Sequence, residues 1–195
     1  MLVFALTRIP GLMPPNFSAV YGLLFCAGVY FSARMAWWLP LGVLFLTDVL
    51  LNTFYYRVPV LDLFSAINYL AYAAIILVGR RFSTKSSWVS LLAGGVVGAI
   101  LFYVITNTVA WLFNPYGNPE YTRNLAGWIT ALTRGTAGYP QTWEFFRNTL
   151  LSGGLFTGLF AGAMKLAAAL EPKEQEAEAP AEEAEPAPDA EEAKA

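Results

Sequence analysis

The sequence predicts an all-α bundle of membrane-spanning helices, and three observations predict it. Apolar residues make up 56% of the 195 and aromatic residues 15%, against 13% charged, which leaves too little polar surface for a water-soluble fold. The apolar residues fall in runs that reach or approach the roughly 20 positions needed to cross a hydrocarbon core about 30 Å thick. Charge is segregated as well: residues 171–195 hold ten acidic residues and two lysines, so the formal charge of −2 divides into −8 there and +6 in the body.

Five runs read as spans: 17–32, 37–55, 61–79, 88–113 and 148–170. A sixth, 1–13, is short and is interrupted by Thr7 and Arg8. It is expected to enter the membrane as a short or tilted helix, with Arg8 snorkelling to the interface and Pro14-Pro15 ending it. This stretch has neither the basic start nor the small-residue cleavage site of a secretory signal, so it reads as a mature N-terminus.

Lys and Arg in short loops set orientation. Arg80, Arg81 and Lys85 lie between two spans and mark that loop as cytoplasmic, and alternation then puts Arg57 and the segment 114–147 outside. Counting 1–13 as a span, both termini are expected in the cytoplasm of a multi-pass inner-membrane protein. Within 114–147, turn formers at 114–119 and 135–140 flank Leu125, Trp128, Ile129 and Leu132, whose helical spacing predicts a short amphipathic helix on the membrane surface. The membrane domain is expected to end at Leu170. Residues 171–195 alternate Ala, Glu and Pro without an aromatic residue, the composition of a disordered, solvated tail.

Small residues indicate where helices approach. Gly154, Gly158 and Gly162 repeat at four-residue spacing with Gly153, Thr157 and Ala161 alongside, and Gly94 and Gly98 form a second stripe beside Gly95 and Ala99. The spans that carry them are expected to pack together.

Polar residues at membrane depth are the candidate functional groups. Asp48 and Asn52 lie four apart on one helix face, where an ionisable group either serves a site or makes a hydrogen bond to a neighbouring helix. Asn107 shares a stripe with Tyr103 and Trp111, an arrangement that suits a planar polar ligand or, alternatively, anchors the helix at the interface. Asn68, Tyr69 and Tyr72 add polar groups to the span 61–79, and Asp62 reads as the residue that starts that helix. Histidine is absent and Cys26 is the single cysteine, so the usual general base, cysteine metal sites and an intrachain disulfide are excluded. With no catalytic motif, metal site or cofactor signature, the sequence does not read as an enzyme, and nothing in it points to nucleic acid.

Arg8, Pro14-Pro15-Asn16-Phe17-Ser18, Trp38-Leu39-Pro40-Leu41, Thr47-Asp48, Thr106-Asn107 with Trp111-Leu112, and Phe145-Phe146-Arg147-Asn148-Thr149-Leu150 together resemble a family of uncharacterised bacterial membrane proteins described only as candidate transport proteins. More distantly, the layout is similar to the substrate-binding S components of energy-coupling-factor transporters. That similarity implies six helices, cytoplasmic termini and a ligand site near the outer face. S components dock on a membrane partner subunit through small residues on the first helix, and this chain departs from them in having only Ala5 there.

The expected function is therefore binding or transport of a small organic solute from the outer side. Asn16, Asp48, Asn52, Asn107, Trp111 and Arg147 are the candidate cavity residues. The alternative is a structural or assembly protein that acts through helix contacts without a ligand.

Overall fold

A computed structural model describes residues 2–178. Among them it is all-helical: α1 (Leu2–Leu6), α2 (Val20–Tyr30), α3 (Met35–Leu50) continued by a π-helical turn (Leu51–Tyr56), α4 (Leu63–Gly79), α5 (Trp88–Phe113), α6 (Leu125–Thr133) and α7 (Thr142–Glu178). Residues up to Ala163 form one compact unit. A second unit begins at Met164 and is helical as far as Glu178.

Among the described residues, three helices are long and apolar enough to cross a membrane: Met35–Tyr56, Trp88–Phe113 and Thr142–Leu170. At 1.5 Å per residue they measure about 33, 39 and 43 Å. Two of the five expected spans are shorter as helices. α4 has 17 residues, about 25 Å, and α2 has 11, about 16 Å. The sixth does not form. α1 is five residues long, about 7.5 Å, and the chain then turns through Arg8 to Asn16 instead of crossing. The support that 1–13 lent to a cytoplasmic N-terminus goes with it. As a helix, α7 continues past Leu170 for eight residues of the acidic segment, where Ala, Glu, Lys and Gln are strong helix formers; the rest of the segment expected to be a disordered tail, 179–195, lies outside the described residues.

α2 is the centre of the first unit. A helix that is apolar on every side has no face to offer water, and ten of its eleven residues, Val20 through Val29, are buried. It packs on α3, α4 and α5. Its closest approach is to α4, where a side-chain carbon added at Gly28 would collide with the Ile76 carbonyl and one at Gly79 with the Phe25 carbonyl. Leu46 on α3, Val97 on α5 and Leu159 on α7 instead point out of the unit. Apolar faces of that extent fit a lipid bilayer.

α5 and α7 pack together as expected, through the neighbouring stripe of α7. A carbon added at Gly153 would stand 2.7 Å from Ala99 Cβ, and one at Gly95 would collide with the Thr157 side chain. Gly94 lies under the Phe25 and Phe82 rings, and Gly98 faces Ile75 of α4. Gly154, Gly158 and Gly162 have more room, with nearest neighbours 3.6, 3.3 and 3.7 Å from such a carbon. The Trp88 indole fills that space and donates to the Gly158 carbonyl at 3.1 Å.

Helix ends follow their capping residues. Asp62, Ser87 and Asn124 each accept a backbone N–H three residues on, at the starts of α4, α5 and α6. α6 spans the expected stretch and is tied to α5 by Trp128 Nε1 donating to Thr108 Oγ1 at 2.9 Å and by the Tyr103 hydroxyl donating to the Leu132 carbonyl.

Candidate functional site

The N-terminal segment is held in the bundle by its own residues. Phe4 is fully buried. Thr7 Oγ1 donates to the Phe4 carbonyl at 3.0 Å and accepts the Ala19 N–H at 3.1 Å, so the end of α1 is tied to the start of α2. Between them, the Phe17 N–H closes a turn onto the Pro14 carbonyl, with Pro15 at its second position and Asn16 at its third. Asn16 has φ +60°, which its short polar side chain tolerates and a β-branched residue would not. The turn is anchored to α7 by Asn148 Nδ2 donating to the Pro15 carbonyl at 2.9 Å.

This path delivers Arg8 to Asp48. Its guanidinium pairs with one carboxylate oxygen of Asp48, and the Tyr69 hydroxyl donates to the other at 2.7 Å. The segment after α1, α3 and α4 are thereby joined around one charge pair. Where a snorkelling side chain was expected, Arg8 is held by a fixed carboxylate within reach. Both side chains are largely covered, 16% and 21% exposed.

Two adjoining clefts open beside this pair. The first, about 490 Å³, is lined by Arg8, Asn16, Tyr21, Asn52, Tyr56 and Tyr72 among others, and the second, about 280 Å³, by Asp48, Asp62, Asn68 and Tyr69. They share Arg8, Asn52 and Tyr72. The π-helical turn at the end of α3 carries Asn52 and Tyr56 to the clefts and ends at Arg57, which adopts a left-handed conformation. The Tyr72 ring is stacked on Phe102 with centroids 5.0 Å apart, which fixes that wall.

Of the six residues expected around a cavity, Asn16, Asp48 and Asn52 line these clefts. The other three lie elsewhere. The Asn107 amide donates to the Tyr103 carbonyl of its own helix at 2.9 Å, the Trp111 indole donates to the Thr122 carbonyl at 2.7 Å, and the Arg147 guanidinium lies 5.5 Å from the Trp143 ring centroid. Arg8, Tyr69 and Tyr72 are the central groups that the sequence reading did not place at a site. The available signal was an arginine and an aspartate each inside apolar sequence, since buried opposite charges find one another.

A further hollow of about 730 Å³ lies in the connection after α5, lined by Tyr116, Asn118, Tyr121 and Tyr139. Beside it the Ala137 N–H donates to the Glu120 carboxylate at 3.0 Å, which holds that carboxyl below its ordinary value of 4.5. A depressed folded value means that the contact contributes above the unfolded value and is lost as pH falls through the lower folded one. An NMR titration of the Ala137 amide should therefore have its midpoint below pH 4.5, and Glu120→Gln should abolish it.

No curated protein and no solved structure matches this chain. One family does match, over residues 1–177, and it covers the helical bundle and both clefts. The chain belongs to that family, the family of unknown function DUF6580.

Proposed function

We propose that this membrane protein binds a small polar organic solute in the paired clefts around Arg8, Asn52 and Tyr72, from the outer side of the bilayer, as a binding or transport component and not as a catalyst. The observation that carries this reading is the convergence, at one end of an apolar bundle, of a charge pair, three amides and tyrosine rings on clefts of about 490 and 280 Å³. Polar residues within apolar helices are costly and tend to be retained where they serve a ligand or ion path. In this reading α2, α3, α4, α5 and α7 all traverse the membrane, a layout similar to that of S components with the first helix reduced to α1. A membrane partner subunit that energises uptake belongs to the same proposal.

The test is mass spectrometry of small molecules retained by the full chain after purification in mild detergent. A retained solute that is lost in Asn52→Ala, with melting temperature unchanged, supports the reading. Retention that is indifferent to Asn52 defeats it.

The alternative, a structural or assembly protein, is favoured by one observation: the Arg8–Asp48–Tyr69 network links three segments of the fold whether or not a ligand is present. It is distinguished by the same experiment, because it expects no solute.

For orientation we propose that the loop with Arg80, Arg81 and Lys85 is cytoplasmic and that the connection from α5 to α7 is external. In a Cys26→Ala background, an impermeant thiol reagent on intact cells should label Asn118→Cys and spare Ser83→Cys. The reverse pattern would invert the topology.

A further inference from the structure

We propose that the solute recognised in the first cleft is an organic carboxylate carrying a planar ring, and that Arg8 is the residue that selects it. The inference rests on the solute-binding reading above and adds the chemical class. Arg8 presents two terminal nitrogens, and the pair with Asp48 uses only one of them. The other, Nη1, is buried and has no hydrogen-bond partner among the described residues. A guanidinium N–H withdrawn from water without an acceptor is costly, so such an atom calls for an acceptor that the chain itself does not supply.

The charges on the two sides of Arg8 say which acceptor and where. Asp48 is already engaged on both oxygens, by Arg8 and by Tyr69. The second cleft holds two carboxylates, Asp48 and Asp62, and disfavours a further anion. Among the described residues lining the first cleft, Arg8 is the only charged one. An anion placed there has Arg8 as its cation, with no acidic residue among the described residues that line the cleft. The Asn52 amide and the Tyr72 hydroxyl, which make no hydrogen bonds to the described residues, line this cleft as well as the second and are further donors. Arginine with flanking donors matches a carboxylate, whose two oxygens accept several hydrogen bonds in one plane.

Four of the other residues lining the first cleft are aromatic. Phe17, Tyr21, Tyr56 and Tyr72 contribute ring surface to a space of about 490 Å³, which suits a flat ring on the far side of the carboxylate.

The probes are benzoate, benzamide and benzylammonium, which share a ring and differ in the charge of the polar group. Binding to the full chain in detergent is measured by calorimetry and by melting temperature. Benzoate should bind at least ten-fold more tightly than benzamide, and benzylammonium should bind weakest. In Arg8→Gln/Asp48→Asn, where the pair is replaced by neutral groups of similar shape, benzoate should lose that ten-fold advantage while melting without ligand confirms the fold. Equal binding of benzoate and benzamide, or an undiminished benzoate preference in the double variant, overturns the carboxylate assignment. If benzamide or benzylammonium binds best and Asn52→Ala abolishes it, the solute-binding reading stands and the carboxylate assignment fails. If none of the three binds, the assignment fails too, and the retained-solute measurement decides the broader reading by itself.

Discussion

Asp48→Leu is expected to destabilise the protein by about 3 kcal/mol, and Arg8→Leu by a similar amount, because each leaves the opposite charge buried without its partner. The value lies at the lower end of what breaking a buried pair costs, since the two side chains retain 16% and 21% exposure. Asp48→Leu also removes the acceptor of the Tyr69 hydroxyl and should be the more damaging of the two. The double variant Arg8→Leu/Asp48→Leu removes both charges together, and apolar replacements for an ion pair are close to neutral in many buried settings. It should therefore be more stable than either single variant. Equilibrium unfolding of all three in detergent measures the coupling. Additive losses would mean that the pair is solvated and does not hold the N-terminal segment in place.

The same pair shows what a linear reading of the sequence resolves and what it does not. Asp48 stood out because a carboxylate in an apolar run is costly wherever it points. Arg8 was legible only as a snorkelling side chain, since its run was read alone and its partner lies 40 positions away. Asn16 was legible from the family resemblance that Pro14-Pro15-Asn16-Phe17-Ser18 carries, and Asn52 from its spacing to Asp48. Asn107 and Trp111 illustrate the opposite case. Their alignment with Tyr103 suggested a shared pocket, but an asparagine on a helix can turn its amide back to the carbonyl four residues earlier, and Asn107 does so. Periodicity says which side chains share a stripe, not whether they point away from their own backbone.

Helix length was legible in part for a related reason. The run that became α5 was delimited at both ends, by the Ser87 cap and by Asn114 in a left-handed conformation, and its bounds match the structure. The run 17–32 had no such limits. Phe31 is extended and Phe17 belongs to the Pro14 turn, so apolar residues continue beyond the helix on both sides. What its composition did carry was position. Apolar character on every side of α2 requires that it be surrounded, and it is the helix on which α3, α4 and α5 pack.

Glycine substitutions should separate close approach from mere spacing. The sequence stripe Gly154, Gly158 and Gly162 is the more regular one, but Gly28 and Gly79, one glycine from each of α2 and α4, each lie directly against the backbone of the other helix. A methyl group at Gly28 would collide with the Ile76 carbonyl and stand 3.0 Å from Gly79 Cα and 3.1 Å from Arg80 N. All three are backbone atoms, which cannot rotate away as a side chain can, so α2 and α4 would have to separate. Overpacking of this kind costs about 1–3 kcal/mol even after the better helix propensity of alanine is counted. At Gly154 the nearest atom to such a methyl is Val96 Cγ2 at 3.6 Å, an ordinary contact. Gly154→Ala should be neutral or stabilise by up to about 1 kcal/mol, through propensity alone. Gly28→Ala and Gly79→Ala act on one crossing, so their combination should cost less than the sum, because helices already parted by the first methyl accommodate the second. Melting the four variants in the same detergent tests each point. A Gly154→Ala protein less stable than Gly28→Ala would show that α7, and not the α2–α4 crossing, sets how closely this bundle packs.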